Sequence, residues 1–493
     1  MLLVGPENDR VLSSPTLLIC LLASVLGAQP ASAAAGPVEL SGRIEGLGVA
    51  RFDDDTPRQR PLARLDLSAT QKWTDQLRWK LSAVGRIGGP PFGARTGAFD
   101  FDRTFQNYSP SLELGEAWID FTTEHAAVRL GTQKFFWGIL DVIQPNDQLN
   151  PREYEDPFLV SEKDRKIAVP AVSIELFAPS PPASWHTSDL QFSLVWQPIA
   201  VPWRFPLPGE RWFAPAARAP DTIFVGAIDG TPCPCDLPVD QVARNSDAPA
   251  RRFDNGNVGV RLGGRSGIVD WHLMFFDGYD TAPAFDTTAR VNDPIEDPSV
   301  ETELLPAYLR YTSVGADAAT TVGDWSVRAE GAYKFGRPWS FELSRLTDQV
   351  VNDPDAVDAL LDGETLMLPT YVKRDAIEWG LAADTFFADT LALVEFYQVL
   401  LFNNDVPLLV RNVDTRLAVN LETPWFGERL TTELLGVWGI EAGYALTRAH
   451  ASWAWTDALR LELGLLGIWG DQDSLVGQYE RNSQLYGRVT YSF

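Results

Sequence analysis

The stretch QLYGRVTYSF, residues 484–493, decides the fold of this chain. Its odd-numbered positions hold Leu485, Gly487, Val489, Tyr491 and Phe493, and its even-numbered positions are mostly polar and include Arg488. A repeat of two residues is typical of a β-strand, because successive side chains of a strand point to opposite faces. One face of this strand therefore meets an apolar environment, and the other meets an environment that accepts an arginine.

Similar alternation recurs along the whole chain and predicts an all-β protein. In residues 77–87, for example, Trp79 and Leu81 face one way and Arg78 and Lys80 face the other. The remaining alternating segments are 38–51, 62–72, 111–122, 126–137, 168–178, 188–199, 256–264, 268–277, 305–314, 325–335, 374–386, 389–400, 412–422, 429–438, 442–455 and 458–469. Each is close to the ~9–11 residues that a tilted strand needs to cross a bilayer. With the final strand they predict a transmembrane antiparallel β-barrel of about 18 strands, with 16 as the alternative.

The connections between these segments alternate between short and long. The short ones include WTDQ (73–76), TTEH (122–125), GRS (265–267), FADT (387–390) and WTDA (455–458); the long ones include 89–110, 137–167, 200–255, 278–304 and 336–373. Short periplasmic turns and long extracellular loops characterise outer-membrane barrels. A soluble propeller or sandwich would not require this asymmetry. An even number of strands places both ends of the barrel sequence on the periplasmic side.

The composition agrees with a membrane barrel and disfavours a nucleic-acid partner. A formal net charge of -25 is unsuited to binding DNA or RNA, which requires a basic surface. The mean hydropathy is only -0.11, although the chain contains 17 Trp and 26 Phe. Many aromatic residues without overall hydrophobicity fit a barrel, in which only alternate strand residues meet lipid.

The amino-terminal stretch TLLICLLASVLGAQPASAAAG (16–36) predicts a secretory signal peptide over residues 1–33. A short apolar run before Ala31-Ser32-Ala33 fits a cleavage site and is too short to span a bilayer. The barrel is then expected over 34–493. Arg10 is the only positive residue before the apolar run, which leaves the true start codon open.

Cys233 and Cys235 are the two cysteines expected in the exported protein. Two cysteines in such a protein usually pair, but a Cys-Pro-Cys ring is tight, so a strained disulfide, a metal site and two free thiols all stay open. Only four histidines are present, which disfavours a His-rich metal site. We predict no cofactor and no metal.

The last strand resembles the carboxy-terminal strand of outer-membrane β-barrel proteins of Gram-negative bacteria. That strand closes on an aromatic residue, usually Phe, with Tyr two residues before it, as Tyr491 and Phe493 do here. The resemblance implies that these two residues form the signal read by the barrel-assembly machinery. It also implies a protein set in outer-membrane lipid, with acidic outer loops beside lipopolysaccharide. Those loop carboxylates either share its divalent cations or are simply solvated.

Residues 131–170 resemble a segment of a poorly characterised family of porin-like outer-membrane proteins. In that family a G-x-Q-x-x-x-W-G strand end is followed by D-x-x-N-P-R/Q and by an E-x-x-R/K-x-x-x-P return. The matching residues are Gly131, Gln133, Trp137, Gly138, Asn150, Pro151, Arg152, Glu162, Lys166 and Pro170. The resemblance implies passage of a small solute and does not identify it.

Residues 137–167 form the third long loop, which in well-known porins folds into the lumen and narrows it. The resemblance suggests the same here, and irregular backbone at membrane depth is tolerated where it lines a water-filled cavity. The candidate constriction residues are Asp141, Asp147, Arg152, Glu153, Asp156, Lys163, Asp164, Arg165 and Lys166 in this segment, and Arg78, Lys80, Arg328 and Arg460 on the wall. The alternatives are a surface loop with solvated charges, or a structural motif with Trp137 at the membrane interface.

The predicted function is a passive channel for small solutes. Strand alternation puts about 13 basic and about 8 acidic residues on the lumen wall, and a basic wall favours anions. A structural or adhesin-type barrel with a closed lumen and a membrane-embedded hydrolase are the alternatives. His272 and His450 face the lumen by the same alternation, but no nucleophile or metal motif accompanies them. The oligomeric state stays open.

Overall fold

The computed structural model describes residues 36–53, 62–88, 111–154, 156–178, 186–228, 231–244, 255–292, 299–341 and 353–493. The proposed signal peptide (1–33) and the long connection 89–110 lie outside the described residues, so the signal peptide stays a prediction.

Eighteen strands form one closed antiparallel barrel. They are β1 (Glu39–Arg51), β2 (Leu62–Lys72), β3 (Leu77–Gly88), β4 (Ser111–Thr122), β5 (Ala126–Gln133), β6 (Val169–Ala178), β7 (Ser188–Gln197), β10 (Asn257–Ser266), β11 (Val269–Tyr279), β14 (Arg310–Val322), β15 (Trp325–Ser340), β17 (Tyr371–Phe387), β18 (Thr390–Leu401), β19 (Val413–Trp425), β20 (Leu430–Gly439), β21 (Tyr444–Ala454), β22 (Leu459–Gly470) and β23 (Gln484–Ser492). β1 pairs with both β2 and β23, and Gly42 and Phe493 exchange backbone hydrogen bonds of 2.8 and 3.0 Å. The prediction of an 18-stranded all-β barrel is confirmed.

The strand alternation divides an apolar outside from a polar inside. In β23, Leu485 and Val489 are exposed on the outer surface, whereas Gln484 and Tyr486 are buried inside. Large apolar side chains are exposed on many other strands as well, for example Leu463, which is 69% exposed. A soluble monomer rarely exposes so much contiguous apolar surface, so this exterior is suited to lipid.

The short connections lie together at one end of the barrel and the long ones at the other. The β10–β11 and β14–β15 hairpins turn at Gly267 and Gly323, which have φ of 63° and 62° and so use the left-handed conformation that glycine adopts readily. We call this the short-turn end, and the opposite one the long-loop end.

The long loops build a second sheet that the alternation did not predict. Its strands are β8 (Thr222–Ile228), β9 (Thr231–Ala243), β12 (Ala284–Asn292), β13 (Ser299–Ala307) and β16 (Leu366–Pro369), in the order β16-β12-β13-β9-β8. Leu237, Val291 and Val300 are buried between its elements. Treating 200–255, 278–304 and 336–373 only as loops was therefore wrong.

One strand boundary was also wrong. The predicted segment 305–314 spans the end of β13 at Ala307 and the start of β14 at Arg310, and β14 continues to Val322. Cys233 and Cys235 both lie in β9, and the disulfide stays one of the open alternatives for them. In the part of the chain that the structure describes, the helices are α1 (Glu162–Arg165) and α2 (Pro354–Leu361), with 3-10 turns at Pro215–Ala217 and Gly477–Asn482. In the described residues, no helix has the length and apolar character to cross a membrane.

Candidate functional site

The segment 137–167, which we call the lumen segment, leaves the wall after β5 and returns to it before β6. Its two ends are tied together by Asn150, whose side chain donates to the carbonyls of Gln133 (3.1 Å) and Ile167 (2.8 Å) and accepts from the N–H of Phe135 (2.6 Å). Gln133 in turn donates to the carbonyl of Ala171 in β6 at 2.9 Å. Residues of the G-x-Q and N-P-R pattern therefore close the base of this loop.

Trp137 packs inside the barrel. Its side chain is 7% exposed and lies in a cluster with Leu149, Met274, Phe276 and Tyr311. Trp137 is therefore not an interface aromatic, and that part of the structural alternative was wrong.

Two buried glutamates bind the first part of the lumen segment, and both lie on strands far around the barrel from β5 and β6. Glu330 of β15 accepts the backbone N–H groups of Ile139 (2.7 Å), Leu140 (3.1 Å) and Asn146 (2.7 Å). Glu395 of β18 accepts those of Asp141 (2.9 Å), Val142 (3.0 Å) and Ile143 (2.8 Å). These carboxylates satisfy six N–H groups that have left regular secondary structure, as buried backbone donors require.

The other part of the lumen segment is held by strands near the closure of the barrel. Asp164 in α1 accepts from Arg43 of β1 at 3.1 Å and lies 3.6 Å from Arg64 of β2. Arg448 of β21 donates to the carbonyl of Phe158 at 3.2 Å, and Arg488 of β23 donates to that of Leu159. The segment thus contacts inward-facing residues on widely separated strands and crosses the lumen.

Inside the lumen segment the predicted residues form ion pairs with one another and with the wall. Asp147 binds Arg152 at 3.0 Å and Lys166 at 2.6 Å, and the side chains of Asp147 and Lys166 are almost wholly buried. Further pairs are Arg152–Glu162 (2.5 Å), Asp141–Arg328 (2.8 Å), Glu153–Arg86 (2.6 Å) and Arg165–Glu162 (2.6 Å), beside those of Asp164. Asp156 accepts from the N–H of Leu159 at 3.0 Å, and Lys163 is exposed.

The remaining wall residues of the prediction lie elsewhere. Arg78 pairs with Asp120 at 2.8 Å and Lys80 with Glu116 at 2.5 Å, both close to the short-turn end of β3. Arg460 is exposed at the start of β22, next to another short turn. The structure therefore brings Arg328 to the lumen segment and sets Arg78, Lys80 and Arg460 nearer the short-turn end.

Several inward-facing acids were missed from the sequence. They are Glu116, Asp317, Asp384, Glu395, Asp414 and Glu433, and each has a polar partner inside the barrel. The wall is consequently more balanced in charge than the strand alternation predicted. The two lumen histidines belong to this set of pairs: His272 Nδ1 lies 2.6 Å from Asp317, and His450 Nε2 lies 3.5 Å from Glu433.

A cavity of about 510 Å³ lies inside the barrel, between the lumen segment and the parts of β14, β15, β17, β18 and β19 that are nearest the long-loop end. Its remaining walls come from the long loops, including Trp203, Phe205 and Phe285. Charged groups of the wall reach it as well, among them Arg337, which pairs with Glu378 at 2.6 Å.

Acid is expected to release α1 from the β1–β2 wall. Burial opposes ionisation of Asp164, but the hydrogen bond from Arg43 and the charge of Arg64 outweigh it and lower its pKa to about 2. Ionised Asp164 therefore stabilises this contact above its ordinary pKa of about 4, and the contribution is lost as pH falls through about 2. Hydrogen exchange of the amides of 161–166 should show the loss between pH 4 and 2. Asp164→Asn should remove this dependence, and an unchanged dependence in that variant would contradict the assignment.

Comparisons with known proteins add the following. No protein-family model matches the chain, and no curated protein matches it. Among solved structures, OccAB1 of Acinetobacter baumannii has a TM-score of 0.45 at 8% identity, covering 93% of this chain and 96% of that one. OpdK of Pseudomonas aeruginosa has a TM-score of 0.44 at 9% identity, covering 92% and 98%. OmpF of Salmonella typhi, solved with daunomycin, has a TM-score of 0.39 at 10% identity, covering 92% and 97%.

The class of the protein follows from its own barrel. Eighteen antiparallel strands close on themselves, their outward residues are apolar and their inward residues are polar and charged. This is the architecture of a porin-like barrel of the outer membrane.

Proposed function

We propose that this protein is a passive channel for small solutes and that the lumen segment forms its constriction. The observation that carries the proposal is the lumen segment itself, a charged loop held across the inside of an 18-stranded barrel by Glu330, Glu395 and Arg43. A barrel of this size encloses an aqueous channel unless something fills it. Opposed charges at a narrow point order water and set ion selectivity.

The channel is also proposed to prefer anions. Arg43, Arg64 and Lys134 lie together beside α1, next to the exposed Lys163. The neighbouring acids are Asp66 and Asp164, which pair with the two arginines, and Glu116, whose charge acts on Lys134. Lys134 donates to the carbonyl of Lys163 at 2.9 Å. This excess of positive charge on one side of the lumen segment supports the preference, because a charged passage with low-dielectric walls concentrates counter-ions.

Single-channel recording in a planar bilayer under a salt gradient tests both parts. Discrete conductance steps from the refolded protein are the expected result, with a reversal potential that favours the anion. A folded barrel without conductance would overturn the channel proposal and favour a closed structural barrel. A conducting barrel with a reversal potential near zero would overturn only the anion preference.

The anion preference is expected to fall as pH rises through about 8. Burial, together with the positive charge of Arg64, lowers the pKa of Lys134 to about 8, so this lysine loses its charge well below the pH at which an exposed lysine does. Reversal potentials measured between pH 7 and 9 should move towards zero in the parent protein. Lys134→Met should start from a weaker preference and change little over the same range. Equal pH dependence in the two proteins would contradict this role.

The membrane partners belong to the same proposal. Outer-membrane lipid surrounds the apolar exterior, and lipopolysaccharide lies beside the long loops. The exposed rings of Tyr491 and Phe493, 6.1 Å apart on the outer face near the short-turn end, serve as the signal for the assembly machinery. Replacing both by alanine should slow insertion of the barrel in cells, as a pulse–chase assay of heat-modifiable folded protein would report.

A further inference from the structure

The cavity above the lumen segment has a continuous aromatic wall. Tyr154 of the lumen segment stacks on Trp203 (ring centroids 5.3 Å apart) and on Phe205 (5.6 Å), and both of these residues come from the β7–β8 connection. Phe285 of β12 meets Phe205 edge to face at 5.6 Å. All four rings line the cavity, so three separate long loops contribute to one apolar surface.

The polar side chains around this cavity are largely engaged with one another. Arg337 is bound by Asp280 (2.9 Å) and Glu378 (2.6 Å), and Tyr311 donates to Gln148 at 3.0 Å. The indole N–H of Trp203 donates to Thr281 at 3.0 Å. Because these groups are paired in the protein, the surface that gains most from a new contact is the aromatic one.

From these two observations we propose that the cavity binds a mostly apolar organic solute with aromatic or fused-ring surface before that solute passes the constriction. The volume of about 510 Å³ suits one drug-sized molecule. Rings of the solute stack against Trp203 and Phe205, which adds to the gain from removing their apolar surface from water. The guanidinium of Arg152, which is paired with Asp147 and Glu162, also lines the cavity 5.5 Å from the ring of Trp203.

The inference rests on the proposed channel function, since it describes a solute that is on its way through the barrel. Its test measures binding of the solute and does not require a channel current. Equilibrium dialysis of the refolded full chain in lipid nanodiscs, with empty nanodiscs as the background, measures binding of 2-naphthol. Glucose, which has nearly the same number of heavy atoms, is the polar comparison. We expect saturable binding of 2-naphthol at one site and none of glucose.

Two variants in the cavity and one outside it test whether 2-naphthol binds in this cavity or elsewhere on the protein. Phe205→Ala should weaken 2-naphthol binding about fivefold, and Ala282→Trp, which fills the cavity from its rim, should abolish it. Phe402→Ala is the matched control, because Phe402 is an exposed loop aromatic outside the cavity lining, and it should leave binding unchanged. The Ala282→Trp variant keeps the test informative if Phe205→Ala fails to fold.

Every outcome of the dialysis experiment either supports or overturns the inference. Binding of 2-naphthol no greater than in empty nanodiscs, equal binding of glucose, or an equal loss in Phe402→Ala would overturn the inference. Saturable binding that responds to the two cavity variants supports it, even if the bilayer recordings show no current and the channel proposal fails. Current without such binding would leave the channel proposal standing and remove this inference.

Discussion

Replacing Glu395 with glutamine is expected to release residues 141–143 of the lumen segment from the wall and to give a larger, noisier single-channel current. The carboxylate accepts three backbone N–H groups and is itself buried. Glutamine keeps one acceptor oxygen but turns an NH₂ donor towards the remaining N–H group. Losing charge-assisted hydrogen bonds of this kind costs about 2–3 kcal/mol, so exchange of the amides of Asp141, Val142 and Ile143 should rise about 30- to 150-fold.

The control for this variant is Glu422→Gln in β19. Glu422 is an exposed glutamate near the short-turn end, so the substitution removes the same charge away from the lumen segment. Conductance and amide exchange of Glu422→Gln should match the parent protein. If Glu395→Gln also matched it in both measurements, the lumen segment would not be held as the structure indicates, and its role as the constriction would fall.

The barrel strands were predictable because lipid and the lumen select opposite side chains at successive positions. The predicted segments 62–72 and 111–122 coincide with β2 and β4. The alternation of apolar and polar residues was misleading for strands that lie outside the membrane. β13 alternates between buried and half-buried residues within the long-loop sheet, so its end merged with the start of β14 in the prediction of 305–314.

The inward-facing acids were missed for local reasons. Around Glu395 the inner neighbours Leu393 and Tyr397 are buried and as apolar as the outer ones, so alternation gave no contrast. In β4 an irregularity next to Gly115 shifts the register between Leu81 and Ala83 of β3. Such a bulge changes which residues face inward. A prediction of wall charge that assumes unbroken alternation therefore undercounts the acids.

The placement of the lumen segment depends on contacts between residues far apart in sequence. Arg43 and Asp164 are separated by 121 positions, and Asp141 and Glu395 by 254. Composition and spacing identify the segment as charged and irregular, but they do not say which wall carboxylates receive its backbone. The G-x-Q and N-P-R residues did identify the base of the loop. The contacts that Asn150 and Gln133 make there join residues that are much closer in sequence than Asp141 and Glu395 are.

Replacing Asp147 with asparagine is expected to have the largest effect on the lumen segment itself. Asp147 is the partner of both Arg152 and Lys166, and the side chains of Asp147 and Lys166 are 1% and 0% exposed. Breaking a buried ion pair leaves an uncompensated buried charge and costs about 3–5 kcal/mol. Hydrogen exchange of the amides of Asn150, Arg152, Glu153 and 165–167 should accelerate accordingly. Glu162→Gln, at a residue with a more exposed side chain, should have a much smaller effect, because exposed pairs contribute less.

The pH dependence of this variant follows from Lys166. Burial lowers the pKa of Lys166, and Asp147 offsets part of that effect, so Asp147→Asn should lower the pKa further. The cost of burying the ammonium is therefore present below the folded pKa and is relieved as pH rises from there towards the ordinary value of about 10.4. After correction for intrinsic exchange rates, protection in Asp147→Asn should recover with rising pH more than in the parent protein. Asp147→Asn/Lys166→Met should recover protection at neutral pH, whereas equal protection in the single variant and the parent would show that this pair does not hold the lumen segment.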